Sequence, residues 1–215
     1  MSNQPEGLTI RDHGGDFELP PQDTHLAQCV HVIDLGTQIK NYQGHDKQVH
    51  ELIITWELPE ALMSDERPFV QTKFYTASLN AKANLRKDLE AWRGKQFADE
   101  EIKNGFSLKN VLAQWCLLGI VHKEFNNRTY ANVASITKPP KTMIPSKPKT
   151  FNDFIYFDFA NFNYDEFMKC PDWIKDKINK SFEMQAREGM PTNGESNTDE
   201  ELDERNPPSV EKLPF

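Results

Sequence analysis

Apolar and polar positions along the 215-residue chain change period several times, and each change predicts an element. The run Leu26-Ala27-Gln28-Cys29-Val30-His31-Val32-Ile33-Asp34-Leu35 is short, apolar and partly alternating, and it stops at Gly36. It reads as a β-strand. The polar stretch from Thr37 to Lys47, with Tyr42 and Gly44 inside it, reads as a loop. Glu51-Leu52-Ile53-Ile54-Thr55-Trp56-Glu57-Leu58 is rich in β-branched residues and is stopped by Pro59, which makes a second strand. Pro68 opens a third, Phe69-Val70-Gln71-Thr72-Lys73-Phe74-Tyr75-Thr76. The period then lengthens. Ala81, Leu85, Leu89 and Trp92 are spaced by four, four and three residues, one face of a helix, with Ser78 or Asn80 as N-cap and Gly94 as its end. A shorter helical piece is expected around Leu108 to Leu112.

Strand pattern returns in Cys116–His122 and again in Thr129–Ile136, joined through Asn126-Asn127 as a hairpin with a loop longer than two residues. Residues 138–150 hold four prolines and four lysines and read as an extended linker. Residues 151–182 are rich in Phe, Tyr and Trp. They predict a strand and then a short helix near Pro171 to Ser181, packed back on the domain or on another subunit. The chain thus divides into a flexible arm (1–24), a β domain (25–137), a linker with a packed aromatic extension (138–184) and a disordered acidic tail (185–215). Three strands, a helix and two strands is the element order of an OB-fold. The expected fold is therefore mainly β, an OB-like five-stranded β-barrel with a helix between strands three and four.

Charge sharpens this picture. The whole chain carries a formal net charge of −8, which by itself argues against nucleic acid. That value hides segregation. Residues 71–150 carry fourteen bases against six acids, whereas residues 191–215 carry seven acids against two bases. A basic block interleaved with aromatics suits a single-stranded nucleic acid, whose phosphates need cations and whose unpaired bases stack on rings. Single-stranded DNA is the expected ligand. Candidate stacking residues are Tyr42, Tyr75, Phe125 and Tyr130, and candidate phosphate partners are Lys40, Lys47, Lys73, Lys123, Arg128 and Lys138. Neighbouring strand residues face opposite ways. Tyr75 is in phase with Lys73 and is assigned to the surface, whereas Phe74 is assigned to the core. Trp56, in phase with Leu52 and Ile54, is read as core, and Arg86 and Lys87 as solvated helix residues.

Other chemistry finds little support. Cys29, Cys116 and Cys170 are far apart and odd in number, so no disulfide framework or zinc ribbon is expected, and Cys29 and Cys116 read as buried apolar residues. The six histidines form no helical pair beside a glutamate, and Gly94-Lys95 lacks a phosphate-loop glycine upstream. No enzyme activity, cofactor, metal or catalytic residue is expected. With no signal peptide or membrane-spanning run, the expected location is the cytoplasm.

The last thirty residues carry Asp199-Glu200-Glu201-Leu202-Asp203-Glu204, then Asn206-Pro207-Pro208, and stop at Leu213-Pro214-Phe215. This arrangement resembles the C-terminal tail of bacterial single-stranded DNA-binding proteins, an acidic stretch followed by a short aliphatic residue, Pro and Phe. It departs from that pattern at Lys212, where the family has an acid. The resemblance implies that Leu213, Pro214 and Phe215 bind partner proteins of replication and recombination. A terminal ring can fill an apolar cavity while its carboxylate pairs with a cation. The stretches Val32–Gln38, Ala83–Gly94 and Thr129–Val133 also look like those of a phage and prophage family associated with replication and recombination gene clusters. That likeness implies a phage replication-cassette protein; with the tail and the basic block, the expected function is protection of single-stranded DNA and recruitment of partners. A homo-oligomer is compatible with it. The alternatives are a recombination mediator or annealing protein, and a protein-interaction module that mimics the host tail.

Overall fold

A computed structural model describes residues 18–146 and 150–188. The leading feature is one long hairpin. Strand β1 runs Asp23–Tyr42 and strand β2 runs His45–Leu62, paired from Gln28↔Glu57 out to Tyr42↔His45. The segment 37–47, expected as a loop, is therefore mostly strand. Its turn is only Gln43-Gly44, with φ of 52° and 82°, a left-handed pair that matches the twist of the flanking strands. The Asn41 side chain fastens it by accepting the Gly44 N–H at 2.8 Å. Polarity in this stretch comes from the ribbon projecting into solvent, not from irregular backbone.

Strand β3 (Pro68–Thr76) pairs with β2, and strands β4 (Trp115–Phe125) and β5 (Arg128–Thr137) form a second hairpin. Its turn is the two residues Asn126 and Asn127, at φ 48° and 60°, shorter than the loop expected. Asparagine tolerates the left-handed region, so no third residue is needed. Strand β4 pairs with the first part of β1, from Asp23↔Ile120 to Gln28↔Trp115. The order is β3-β2-β1-β4-β5, all antiparallel. A short strand β6 (Ile155–Phe157) takes over the β1 edge in parallel at His31–Ile33, once β4 has left it. No backbone ladder joins β3 to β5 among the described residues, so the sheet is not closed. The two edges touch through Gln71, whose side-chain amide donates to the Ala131 carbonyl at 2.9 Å.

Helix α1 (Asn84–Arg93) lies where the 3.6-residue period placed it and buries Leu85, Leu89 and Trp92. It starts later than expected. Ala83 occupies the N-cap, while Ser78 and Asn80 form turns ahead of it, the latter accepting the Lys82 N–H. Gly94 ends it at φ 68°, as a C-terminal glycine should. A short helix α2 (Asp99–Asn104), not anticipated, and a 3-10 turn at Leu108–Val111 follow before β4. The arm expected over residues 1–24 is fixed to the fold in its described part. Glu18 accepts the Ser64 N–H, and Gln22 accepts the His122 N–H at 2.7 Å.

Two cores share the β1–β2 hairpin. On the inner side, Ala27, Cys29, Leu52, Ile54, Trp56, Cys116 and Leu118 pack with Leu89 and Trp92 of α1. On the outer side, Ile33, Leu35 and Ile53 meet Phe157, Phe167, Ile174 and Ile178 of the C-terminal extension. That extension folds as β6, α3 (Tyr164–Lys169), α4 (Asp172–Asn179) and α5 (Phe182–Glu188). Of the two arrangements expected, it adopts the one on its own domain.

Two carboxylates, Glu57 buried and Glu183 half-buried, pin the extension down. Glu57, 1% exposed, accepts the Phe151 N–H, the Asn152 N–H and the Asn152 side-chain amide, the last at 2.7 Å. Glu183 of α5 accepts both the N–H and the hydroxyl of Thr37, each at 2.7 Å. A buried charge is tolerable only when hydrogen-bonded in this way. No helix among the described residues is long and apolar enough to cross a membrane.

Candidate nucleic-acid interface

The ladder of the β4–β5 hairpin puts Lys123 opposite Tyr130 and Phe125 opposite Arg128. These four residues share one face, because side chains alternate along a strand and directly paired residues point the same way. Ala131, 2% exposed, belongs to the inner core and pairs with His122, so the opposite face is outward. Cation and aromatic alternate across this outward face in both directions. Phe125 is 47% exposed, although solvent would normally disfavour so large a ring at a hairpin end. Lys123 and Arg128 are exposed and Tyr130 is half-buried.

The β1–β2 tip carries a second such group. Lys40 pairs with Lys47, and Tyr42 with His45, all on the face shared with Glu51 and Ile53, again the outer one. The Lys47 ammonium stands 5.5 Å from the Tyr42 ring centroid, a cation–π contact. Lys40 is partly engaged, since its ammonium lies 2.7 Å from Glu51. The two groups do not meet at one end of the sheet. β4 runs past the Asp23 end of β1 to its turn, whereas the other turn lies beyond Tyr42.

Three predicted residues stand elsewhere. Tyr75 is buried at 3% exposure, not on the surface, and its hydroxyl donates to Asp88 of α1 at 2.8 Å. Burial, with Asp88 adding to it, pushes the Tyr75 phenol well up from its ordinary value. Lys73 reaches the same Asp88 oxygen at 2.7 Å. Lysine in phase with Tyr75 was the signal for a surface face, but one carboxylate from the covering helix satisfies both groups. Phe74, assigned to the core, is half-buried on the other face, where it packs on Trp173 of α4. Lys138 is exposed just beyond β5, at the opposite end from Arg128, with its stem near Gly94. Trp56 is fully buried, as expected. Leu213, Pro214 and Phe215 lie outside the described residues.

Basic residues that the sequence did not single out also reach the outer face. Lys177 of α4 sits 5.2 Å from the Phe74 ring centroid and 3.9 Å from Glu51. The only signal for it in the sequence is Glu51 itself, an acid in phase with Ile53 and Thr55 on a strand too apolar to leave a charge unmatched.

The chain matches no protein-family model, and no curated protein matches it.

Proposed function

We propose that this protein binds single-stranded DNA on an OB-like β domain, in a phage or prophage replication or recombination system in the host cytoplasm, and recruits partner proteins through Leu213, Pro214 and Phe215. The observation that carries this reading is the alternation of Lys123, Phe125, Arg128 and Tyr130 on the outward face of the β4–β5 hairpin. Rings at this spacing offer stacking surfaces that accept any base, and the interleaved cations sit where phosphates between stacked bases would lie. Tyr42 and Lys47 repeat the pairing on the other hairpin. The order β3-β2-β1-β4-β5, with Gln71 of β3 reaching Ala131 of β5, supports an OB-like architecture.

The protein acts by holding, not by chemistry. Stacking of a base on Phe125 or Tyr130 is worth about 1–3 kcal/mol, and neutralised phosphates release counterions, so binding weakens as salt rises. The test is fluorescence anisotropy with labelled oligo-dT and with a duplex of equal length, across a salt series. An extrinsic label is used, because Trp56 and Trp92 are buried in the core and Trp115 and Trp173 are half-buried. Phe125→Ala and Tyr130→Ala should each weaken oligo-dT binding by roughly 5- to 150-fold, while duplex binding stays weak. No oligo-dT binding by the unaltered protein at low salt would refute the proposal.

A further inference from the structure

The outer face holds one feature that the hairpin groups do not use. Glu51 is a single carboxylate, 2% exposed, between two ammonium groups. Lys40 takes Oε1 at 2.7 Å, while Lys177 stands 3.9 Å from Oε2, too far for a hydrogen bond. Oε2 itself has no hydrogen-bond partner. Two cations therefore share one anion at a largely desolvated place, which leaves an excess of positive charge there. Lys180, exposed at the C-terminal cap of α4, adds a third cation. Burial lowers the Lys177 pKa from its ordinary value, and repulsion from Lys40 and Lys180 adds to this against the pull of Glu51. An anion bound beside these ammonium groups would favour their charged forms and offset that repulsion. The place is also continuous with Tyr42 and Lys47, which lie farther along the same face of the same ribbon.

We propose that Lys177 and Lys180, together with Lys40, hold a backbone phosphate of the bound single strand where α4 meets the β1–β2 hairpin. The C-terminal extension is then part of the nucleic-acid interface as well as a cover for the sheet. This inference rests on the function proposed above, and it deepens that reading by adding a phosphate contact made outside the five-stranded domain.

The test uses the full chain. Lys177→Met keeps an apolar stem over Phe74 and removes the charge; Lys180→Ala alters only an exposed side chain, so it tests the idea even if the first variant folds poorly. Each should weaken oligo-dT binding and reduce the slope of log K against log salt by about 0.7, the value for one phosphate contact on a single strand. Lysine acetylation read by mass spectrometry should show Lys177 and Lys180 protected by oligo-dT, with Lys103 of α2 unprotected. Unchanged slopes in both variants, while Phe125→Ala still weakens binding, would overturn this inference and leave the broader reading standing. Protection by inorganic phosphate alone and none by oligo-dT would overturn it as well, and would mark a free-anion site. Failure of the unaltered protein to bind oligo-dT would remove both.

Discussion

Replacing Gly36 with alanine should loosen the C-terminal extension from the sheet. Gly36 sits at a bulge in β1 with φ of 70°, in the left-handed region. A β-carbon there would stand 2.6 Å from Glu183 Oε2, 2.7 Å from Ser181 Cβ and 2.8 Å from the Phe159 ring. None of the three can move freely. Ser181 is fully buried, and Glu183 is held by the two Thr37 hydrogen bonds. Alanine in a left-handed conformation costs about 1–2 kcal/mol. Overpacking a filled site costs about 1–3 kcal/mol more. The sum, about 2–5 kcal/mol, is a large share of the 5–15 kcal/mol typical of a domain. Urea unfolding followed by circular dichroism should show a lower midpoint. Hydrogen exchange should quicken in α4, α5 and the Thr37 amide, with α1 and β4–β5 less affected. An unchanged midpoint with unchanged exchange in residues 172–188 would refute the packing argument.

Two further outcomes follow from the same geometry. Tyr75→Phe should lower stability by about 1–3 kcal/mol, since it removes a buried hydrogen bond to a carboxylate, and should leave oligo-dT affinity unchanged; calorimetry and anisotropy read the two effects separately. His50 donates to Asp34 at 2.7 Å and lies 3.6 Å from Glu183, and its hydrogen bond to Asp34 raises its pKa above the ordinary 6.5. Its stabilisation is full below that ordinary value and is lost as pH rises through the raised one, so stability should decline as pH rises above 6.5. His50→Gln should flatten that decline in urea titrations run at several pH values; a decline that persists in the variant would show that another group is responsible.

The sequence made strands and helices legible where burial was one-sided or the period long, as in β3, α1 and β4. It failed where the reason for a residue lay on a distant element. Residues 37–47 look like a loop because most are polar and, beyond Lys40, both faces of the projecting ribbon meet solvent, and only the pairing of Lys40 with Lys47 reveals a strand. Tyr75 was misplaced because Asp88, thirteen residues away, conceals the charge of Lys73. Val32-Ile33 and Ile53-Ile54 lack alternation because both faces of the hairpin are buried, one under α1 and one under the extension. For the interface, the residue types in Lys123–Tyr130 were legible, but their shared face needed the two-residue turn that sets the register. Lys177 was not legible, because its meeting with Glu51 spans most of the domain.

The β1–β2 hairpin is a party wall between two rooms. Ile33, Leu35 and Ile53 face one side, and Cys29, Ile54 and Trp56 the other. A chain cut before β6 would leave the first three bare on a sheet face, an invitation to self-association rather than a smaller working protein. The five strands and the helices that follow them are thus a single inheritable unit. Recombination between genes could not trade one part without the other, and any useful fragment must reach the end of α5.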